Sequence, residues 1–240
     1  MRFYSLGAII CLVGLAIIPA QAQITVYAND FQAGSTSGFS SNSVSTTPGS
    51  VAHTADKFLG EFGNTSVTLG LTGLAAHTTA TVAFDLYMIR SMDGDGQFGG
   101  STDGWSLNVG GGPTLLSTNF ANFPGNTQSF QSQAVPNAGG QSPQTGATEK
   151  QTLGYLFNGN QMDAVYHFSY TFANSGSALN LIFAGTPNEP IDNESWGLDN
   201  VTVKTNAISV AATPEPGTFA LAATICMTAT CLVRRRNRRR

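Results

Sequence analysis

Apolar and polar residues alternate in several short stretches between residues 23 and 206, as they do in strands with one buried face. The clearest alternating stretches are residues 67–71, 82–88, 166–172 and 179–183. No part of this region has a convincing helical period, and the glycine, serine, threonine and asparagine residues between the runs fit turns. The pattern predicts an all-β domain over residues 23–206, built as a two-sheet antiparallel sandwich of the jelly-roll type.

Particular stretches predict finer features of this sandwich. Both faces of residues 82–88 are substantially apolar, which indicates a strand in the centre of a sheet. The aromatic row of residues 166–172 should form one wall of the core. The turn residues at 174–177 predict a hairpin that joins this row to the next strand. Near Asp199 and Asn200 the apolar positions change phase, so we expect a β-bulge there.

Two segments have the composition of long loops. Residues 93–103 are rich in glycine and aspartate, and residues 125–150 are rich in glutamine, serine, glycine and proline. Loops of this length are usually functional or disordered. We expect disorder for the second, because it lacks apolar anchors apart from Phe130 and Val135.

Residues 1–22 have the organisation of a secretory signal peptide. Arg2 supplies a positive charge, residues 6–18 are apolar, and a small-x-small cleavage site follows at residues 20–22. We therefore predict export through the Sec translocon and cleavage before Gln23. The alternative is an uncleaved membrane anchor, which the shortness of the apolar run disfavours.

The C-terminal segment, residues 214–240, follows a linker at residues 207–213 and contains three signals in order. The tripeptide Pro214-Glu215-Pro216 is held extended, because each proline disfavours helix at the residue before it. The apolar run over residues 217–233 is near the lower length limit of a transmembrane helix. Arginines dominate residues 234–240, which predicts that this end stays in the cytoplasm and that everything before the helix lies outside it.

A buried helix and a nucleic-acid-binding tail are the alternatives for this segment, and both are disfavoured. A buried amphipathic helix with a basic tail would repeat a polar face at helical spacing, which the apolar run does not do. Nucleic-acid binding by the arginines is disfavoured, because an exported chain meets no nucleic acid by default.

The proline-flanked glutamate, the apolar run and the arginine cluster together resemble the PEP-CTERM sorting signal of Gram-negative bacteria. The resemblance covers residues 213–240 only, and it departs mildly from the usual pattern at Thr213, where valine is commoner. It implies recognition by an exosortase, a membrane-embedded cysteine transpeptidase that removes the apolar tail. It also implies association with the cell surface or with an exopolysaccharide matrix.

Composition separates the exported domain from both ends of the chain. The three cysteines, Cys11, Cys226 and Cys231, all lie in the terminal apolar segments, so the domain has no internal disulfide and no thiolate metal site. Residues 23–216 carry four basic and all fourteen acidic residues, a formal net charge of −10. Such a domain repels nucleic acid and offers the oxygen ligands that calcium prefers.

Three short stretches give a further, less specific resemblance. Residues 84–87, residues 103–107, and residues 194–203 with their Asp-Asn-Val pattern resemble carbohydrate-binding-module-like jelly rolls and lectin-like sandwiches. In such modules a structural calcium often bridges the first and last strands. The resemblance therefore implies a calcium site at Asp30 and Asp199, with Glu61 as a third ligand. The alternative is that Asp30 and Asp199 cap turns through backbone N–H groups.

A second calcium hypothesis places the ion in the loop with Asp93, Asp95 and Asp103 as ligands. The loop is not an EF-hand, because Phe98 stands where the sixth position requires glycine and Gly104 where the twelfth requires glutamate. The alternative is a glycine-permitted turn with solvated acids.

The two tryptophans have two possible roles. Trp105 and Trp196 could stack on sugar rings if their faces are exposed. Because each lies in an alternating run, packing in the core is the commoner role for such residues.

No enzyme motif is recognisable in the domain. A glycosidase on this fold needs two suitably spaced carboxylates, and no Glu-x-Asp-x-x-Glu pattern occurs. Glu189, Asp192 and Glu194 are clustered, but Pro187 and Pro190 place that segment in a loop. The histidines show no metal-ligand spacing, and there is no Gly-x-Ser-x-Gly elbow.

The sequence therefore predicts an exported, surface-sorted, non-enzymatic β-sandwich of the cell envelope or extracellular polysaccharide matrix. Its expected partners are the Sec translocon and the exosortase during export, the membrane through the C-terminal helix, and an exopolysaccharide. The alternative is a carbohydrate-active enzyme or a lectin-like glycan-binding module on the same fold.

Overall fold

The computed structural model describes residues 22–95 and 102–208 of the chain. These residues contain thirteen strands and no helix, which confirms the all-β prediction for this part of the chain. The signal-peptide helix, the tripeptide Pro214-Glu215-Pro216 and the apolar helix at residues 217–233 lie outside the described residues. Within the described ranges, no helix is long and apolar enough to cross a membrane.

The strands follow one another with loops of very different length. The first seven are β1 (Gln23–Asn29), β2 (Val44–Thr46), β3 (Lys57–Phe62), β4 (Thr65–Thr72), β5 (Thr79–Arg90), β6 (Gly104–Val109) and β7 (Thr114–Asn119). The other six are β8 (Glu149–Lys150), β9 (Leu156–Phe157), β10 (Asn160–Gln161), β11 (Asp163–Ala173), β12 (Ala178–Thr186) and β13 (Glu194–Asn206).

Two antiparallel sheets contain most of these strands. The larger sheet has seven strands in the order β2-β3-β13-β5-β11-β8, with β1 also paired to β13, and the smaller has the order β4-β12-β6-β7. Strands β9 and β10 form a separate ribbon. Strand β5 lies between β13 and β11, which confirms its predicted central position. The first and last strands are neighbours, with Asn29 opposite Val201.

The main core lies between the inner faces of the two sheets. Phe84 of β5 packs against Phe183 of β12 at 5.3 Å between ring centroids and against Trp105 of β6 at 5.8 Å. Tyr166 and Phe168 of β11 are almost fully buried, as predicted for the aromatic row. The domain contains no cysteine and so has no disulfide to stabilise it. Burial of these large rings therefore supplies the main stabilising contribution.

A smaller apolar cluster covers part of the opposite face of the larger sheet. It explains why both faces of β5 are apolar: Leu86 and Met88 enter the main core, whereas Tyr87 and Ile89 point to the other side. The segment that carries Leu153 closes this second cluster. Its members are Phe58, Tyr87, Ile89, Leu153, Tyr155 and Val165.

The predicted bulge in β13 is confirmed. The pairing of β13 with β5 shifts register between Asp199 and Thr202, and Asn200 has a positive φ of 51°. Asparagine tolerates this left-handed conformation better than most residues. On its other side, β13 pairs first with β3 and then, beyond the bulge, with β1.

The predicted hairpin at residues 174–177 is wrong. Strand β11 belongs to the larger sheet, whereas β12 pairs with β4 and β6 in the smaller one. The turn therefore carries the chain from one sheet to the other. A local turn signal indicates that the chain reverses, but it does not specify the sheet that the next strand joins.

Residues 125–150 are ordered, contrary to the expectation of disorder. Gln128 is fully buried, and its Oε1 accepts the backbone N–H groups of Ala121 at 3.1 Å and Gln144 at 3.0 Å. Its Nε2 donates to the carbonyls of Phe130 and Thr145. One side-chain amide thus satisfies backbone groups at several points of the loop.

Candidate metal centre

Four acidic residues meet at one end of the sandwich. Asp93 follows β5, Asp103 directly precedes β6, Glu189 lies between β12 and β13, and Glu194 begins β13. Their convergence follows from strand pairing. Glu194 lies opposite Arg90 at the end of β5, and in the smaller sheet Thr186 at the end of β12 lies opposite Gly104 at the start of β6.

The carboxylates are close enough to share one ion. One side-chain oxygen from each of Asp93, Glu189 and Glu194 lies within 4.8 Å of the others. The carboxyl groups of Asp103 and Glu194 are adjacent, and Oδ2 of Asp103 accepts the backbone N–H of Asp93. The backbone N–H of Asn188 also donates to Asp103.

Several oxygens in this cluster are buried without a donor. Asp103 and Glu194 have no exposed surface, and Asp93 is 6% exposed. Within the described residues, Oδ1 of Asp103, Oε1 of Glu194 and Oδ1 of Asn126 have no hydrogen-bond partner. Asn126 belongs to the same cluster, because its Nδ2 donates to Asp93 Oδ1 at 2.8 Å. Buried polar atoms without a partner are rare in folded proteins and require an explanation.

Burial and mutual repulsion disfavour the charged forms of these acids. Burial, followed by the charges of Asp103, Asp93 and Glu189, raises the pKa of Glu194 to about 8. Burial and then Asp103 and Glu189 raise the pKa of Asp93 to about 6. None of the ion pairs formed among the described residues involves these four carboxylates. The cluster therefore carries excess negative charge that the described side chains do not balance.

The structure does not bring Asp30, Glu61 and Asp199 together, and the predicted calcium triad is corrected. Asp30 is exposed and its Oδ1 accepts the N–H of Gln32, as in a capped turn. Glu61 pairs with Arg90 and accepts Ser195 Oγ at 2.8 Å. Its contact with β13 is thus four residues away from Asp199. Adjacent first and last strands place Asp30 near Asn200, but they do not create a common ligand set.

The three residues of the loop hypothesis, Asp93, Asp95 and Asp103, do not form a common site either. Asp93 and Asp103 are in the acidic cluster, but Asp95 is not. Its Oδ1 accepts hydrogen bonds from Ser129 and Asn119, and its Oδ2 accepts one from Thr127. Burial would raise the pKa of Asp95, yet these bonds hold it below its usual value. Asp95 therefore anchors the long loop.

Both tryptophans are buried, so the prediction of glycan stacking is wrong for them. Trp105 is 2% exposed and Trp196 has no exposed surface. Their rings meet edge to face at 6.0 Å inside the core. Neither ring face is open to a sugar.

Glu189 and Glu194 are members of the cluster that the sequence did not predict as partners of Asp93 and Asp103. The two glutamates are close together in sequence, but the neighbouring prolines indicate a loop and disfavour a site on one strand. The useful signal is position, because three of the four acids stand at strand ends, where strands from different sheets can meet.

Asp199 provides a test of buried charge away from this cluster. It is 1% exposed, its Oδ2 accepts Tyr87 Oη at 3.0 Å, and it faces Asp56. Burial, with repulsion from Asp56, raises its pKa to about 7, well above the ordinary 3.8. The stability linked to a raised carboxyl pKa is present in acid and is lost as the pH rises through about 7.

We therefore expect Asp199→Asn to raise the melting temperature at pH 8 and to have a much smaller effect at pH 4. Removing a buried charge of this kind is worth about 1–2 kcal/mol, or about 3–6 °C for a domain of this size. Thermal melts with chelator across this pH range measure the difference. Asp30→Asn, on an exposed carboxylate, is the matched control. A constant difference for Asp199→Asn would contradict the prediction.

Comparisons with known proteins identify no family for this chain. No protein-family model and no curated protein matches the chain. Among solved structures, the chain is similar to the K3 cleaved adhesin domain of Lys-gingipain from Porphyromonas gingivalis. The two share 10% identity with a TM-score of 0.36, over 76% of this chain and 99% of the other. The structure itself shows the class of protein for the described residues: an all-β sandwich with an acidic cluster at one end, of which Asp93, Asp103 and Glu194 are buried.

Proposed function

We propose that this chain is an exported, surface-sorted, non-enzymatic β-sandwich protein of the cell envelope or extracellular polysaccharide matrix. An exosortase processes its C-terminus. The observation that carries the proposal is the order of signals after the folded domain. Strand β13 ends at Asn206, and Pro214-Glu215-Pro216, the apolar run at residues 217–233 and the arginines at residues 234–240 follow it.

The properties of the domain support delivery outside the cytoplasm. The core is built from large buried rings and contains no cysteine, so folding does not depend on the redox state of the compartment. The acidic balance of residues 23–216 favours solubility and disfavours binding to anionic lipid heads or nucleic acid. In this proposal the C-terminal helix anchors the chain in the inner membrane until the tail is removed.

The placement of the acids supports a non-enzymatic role. A glycosidase needs two carboxyl groups on either side of an accessible glycosidic bond. Asp103 and Glu194 lie next to each other and have no exposed surface. Glu61 is occupied by Arg90. Neither the Asp103–Glu194 pair nor the Glu61–Arg90 ion pair leaves space for a sugar between its two side chains.

The intact mass of the protein recovered from its native cells tests the proposal. We expect a product that begins at Gln23 and ends near Pro216. A variant with Pro214, Glu215 and Pro216 all replaced by alanine is expected to keep its tail and stay in the membrane fraction. Recovery of the unaltered protein with Arg240 still attached would refute processing by an exosortase.

A lectin-like function is the second candidate, and a surface cleft favours it. The cleft has a volume of about 570 Å³ next to the β9–β10 ribbon. Its lining combines side-chain amides with the exposed Leu156. The amides belong to Gln151, Asn158, Asn160 and Gln161. Amides donate and accept hydrogen bonds, as recognition of sugar hydroxyls requires.

A glycan-binding screen of the mature exported protein distinguishes this candidate from a purely structural role. If the cleft binds glycan, Gln161→Ala should weaken binding, whereas Gln32→Ala, at a residue that does not line the cleft, should not. Absence of binding to any glycan, including the native exopolysaccharide, would leave the structural role as the function.

A further inference from the structure

We propose that Asp93, Asp103, Glu189 and Glu194 bind a calcium ion that ties the two sheets together at one end of the sandwich. This site differs from both ligand sets that the sequence suggested. It goes beyond the proposed function and does not depend on it. The proposal rests on the distances, the burial and the unpartnered oxygens of this cluster.

The charge of the cluster requires compensation. Oxygens of Asp93, Glu189 and Glu194 lie within 4.8 Å of one another, and Asp103 adjoins Asp93 and Glu194. Asp93, Asp103 and Glu194 are buried. Buried charges are costly unless they are paired, protonated or bound to a metal. The basic side chains that form ion pairs among the described residues are directed elsewhere, since Arg90 holds Glu61 and His53 lies beside Asp56 and Glu149.

Protonation alone does not balance the negative charge of this cluster. One proton shared between Asp103 and Glu194 would satisfy the contact between those two residues. It would leave the charges of Asp93 and Glu189 in the same site, and it would give no donor to Asn126 Oδ1. A divalent cation neutralises two charges at once, and carboxylate and amide oxygens are both ligands that it takes.

The geometry suits calcium. Calcium binds six to eight oxygens at about 2.3–2.6 Å, so two of its ligand oxygens lie up to about 5 Å apart. The oxygens of Asp93, Glu189 and Glu194 lie within 4.8 Å of one another. Oδ1 of Asp103 and Oδ1 of Asn126 add buried acceptors, and water can complete the shell. Magnesium prefers a tighter octahedron with bonds of about 2.0–2.1 Å.

The position of the site gives the ion a structural role. Asp93 follows β5 and Glu194 begins β13 in the larger sheet, whereas Asp103 directly precedes β6 in the smaller sheet. Glu189 lies in the connection that links the sheets. An ion held by all four acids would cross-link the layers where no disulfide can do so.

Thermal unfolding of the full chain, stripped with chelator and then titrated with calcium, tests the proposal. At about a hundredfold excess over the dissociation constant we expect calcium to raise the melting temperature by about 5–10 °C. Calorimetric titration should show about one ion per chain, with binding complete in the millimolar range typical of extracellular modules. Magnesium should produce a smaller shift.

Two isosteric variants and one control locate the site. Glu194→Gln and Asp103→Asn should lose most of the calcium-dependent shift, while melting without calcium at the same temperature as the parent protein or higher, because each removes buried charge. Asp192→Asn, on an exposed residue of the same loop, should keep the full shift. The proposal is overturned if the parent protein gains no stability from calcium, if magnesium acts equally, or if the two variants respond as the parent does.

Discussion

Replacement of Trp196 by alanine is expected to lower the free energy of unfolding by about 3–5 kcal/mol. Trp196 has no exposed surface and packs at 5.0 Å on Phe62 and at 6.0 Å on Trp105. Its Nε1 donates to the carbonyl of Gly63 at 2.9 Å. The substitution creates a large cavity and leaves that carbonyl without its donor. Because native domains are stable by only about 5–15 kcal/mol, this is a large fraction of the total.

Urea unfolding followed by far-ultraviolet circular dichroism measures the loss. Trp196→Phe should fall between the parent and the alanine variant, since it keeps most of the ring contacts but not the hydrogen bond. Ile24→Ala is the control, because Ile24 is 49% exposed on β1 and its truncation should cost well under about 1 kcal/mol. Equal effects of Trp196→Ala and Ile24→Ala would mean that Trp196 is not part of a packed core.

Gly185 explains why Trp196 fits so closely. A Cβ at position 185 would lie 2.2 Å from Trp196 Nε1, well inside van der Waals contact. The strand β12 therefore presents backbone, not a side chain, to the indole ring. Alternation alone predicts that Trp196 faces inward, but the glycine opposite it shows how the ring is accommodated.

The features that the sequence predicts well are local ones. In β11 the buried Tyr166 and Phe168 alternate with the exposed His167 and Ser169, and this period of two is a property of the strand alone. The bulge at Asp199 and Asn200 is predictable for the same reason, because a change of phase is visible within one strand. Such features need no knowledge of the partner strands.

The failures concern partners that are distant in the chain. The turn at residues 174–177 is recognisable from its composition, but the choice between the two sheets depends on β4 and β6, which precede it by many residues. Order in residues 125–150 depends on Gln128, a polar residue whose burial is stabilised by backbone groups of two other segments. Composition favours disorder there, because it counts glutamine as a solvated residue.

The acidic cluster shows the same limit for function. Asp93 and Asp103 are close in sequence and belong to one site, whereas the spacing also suggests Asp95, which in fact binds the long loop. Glu189 and Glu194 reach the site only because β13 pairs with β5 and β12 pairs with β6. No spacing rule contains that information, because it resides in the strand topology.

Asp163→Ala is expected to destabilise the domain by about 3–5 kcal/mol, through lost hydrogen bonds and not through a cavity. The carboxylate of Asp163 is fully buried at the start of β11. Its Oδ1 accepts the backbone N–H groups of Thr152 at 2.8 Å and Leu153 at 2.9 Å, and its Oδ2 accepts that of Tyr155 at 3.1 Å. Alanine would leave three backbone donors without this acceptor.

The loss should also weaken the second apolar cluster. Leu153 and Tyr155 close that cluster over the outer face of the larger sheet, and Asp163 holds the segment that carries them. Asp163→Asn should cost less, about 1–2 kcal/mol, because its oxygen still accepts from Thr152 and Leu153 while its amide opposes the N–H of Tyr155. Burial raises the pKa of Asp163 despite these hydrogen bonds, so the neutral amide also avoids part of the cost of a buried charge.

Hydrogen exchange separates this mechanism from general destabilisation. The amides of Thr152, Leu153 and Tyr155 should exchange fastest in Asp163→Ala, before those of β5 and β13 lose protection. Asp192→Ala, on an exposed carboxylate, should change neither the exchange pattern nor the urea midpoint. If the three amides of Asp163→Ala stay protected while the whole domain is destabilised, the carboxylate acts by some other means than holding this segment on the sheet.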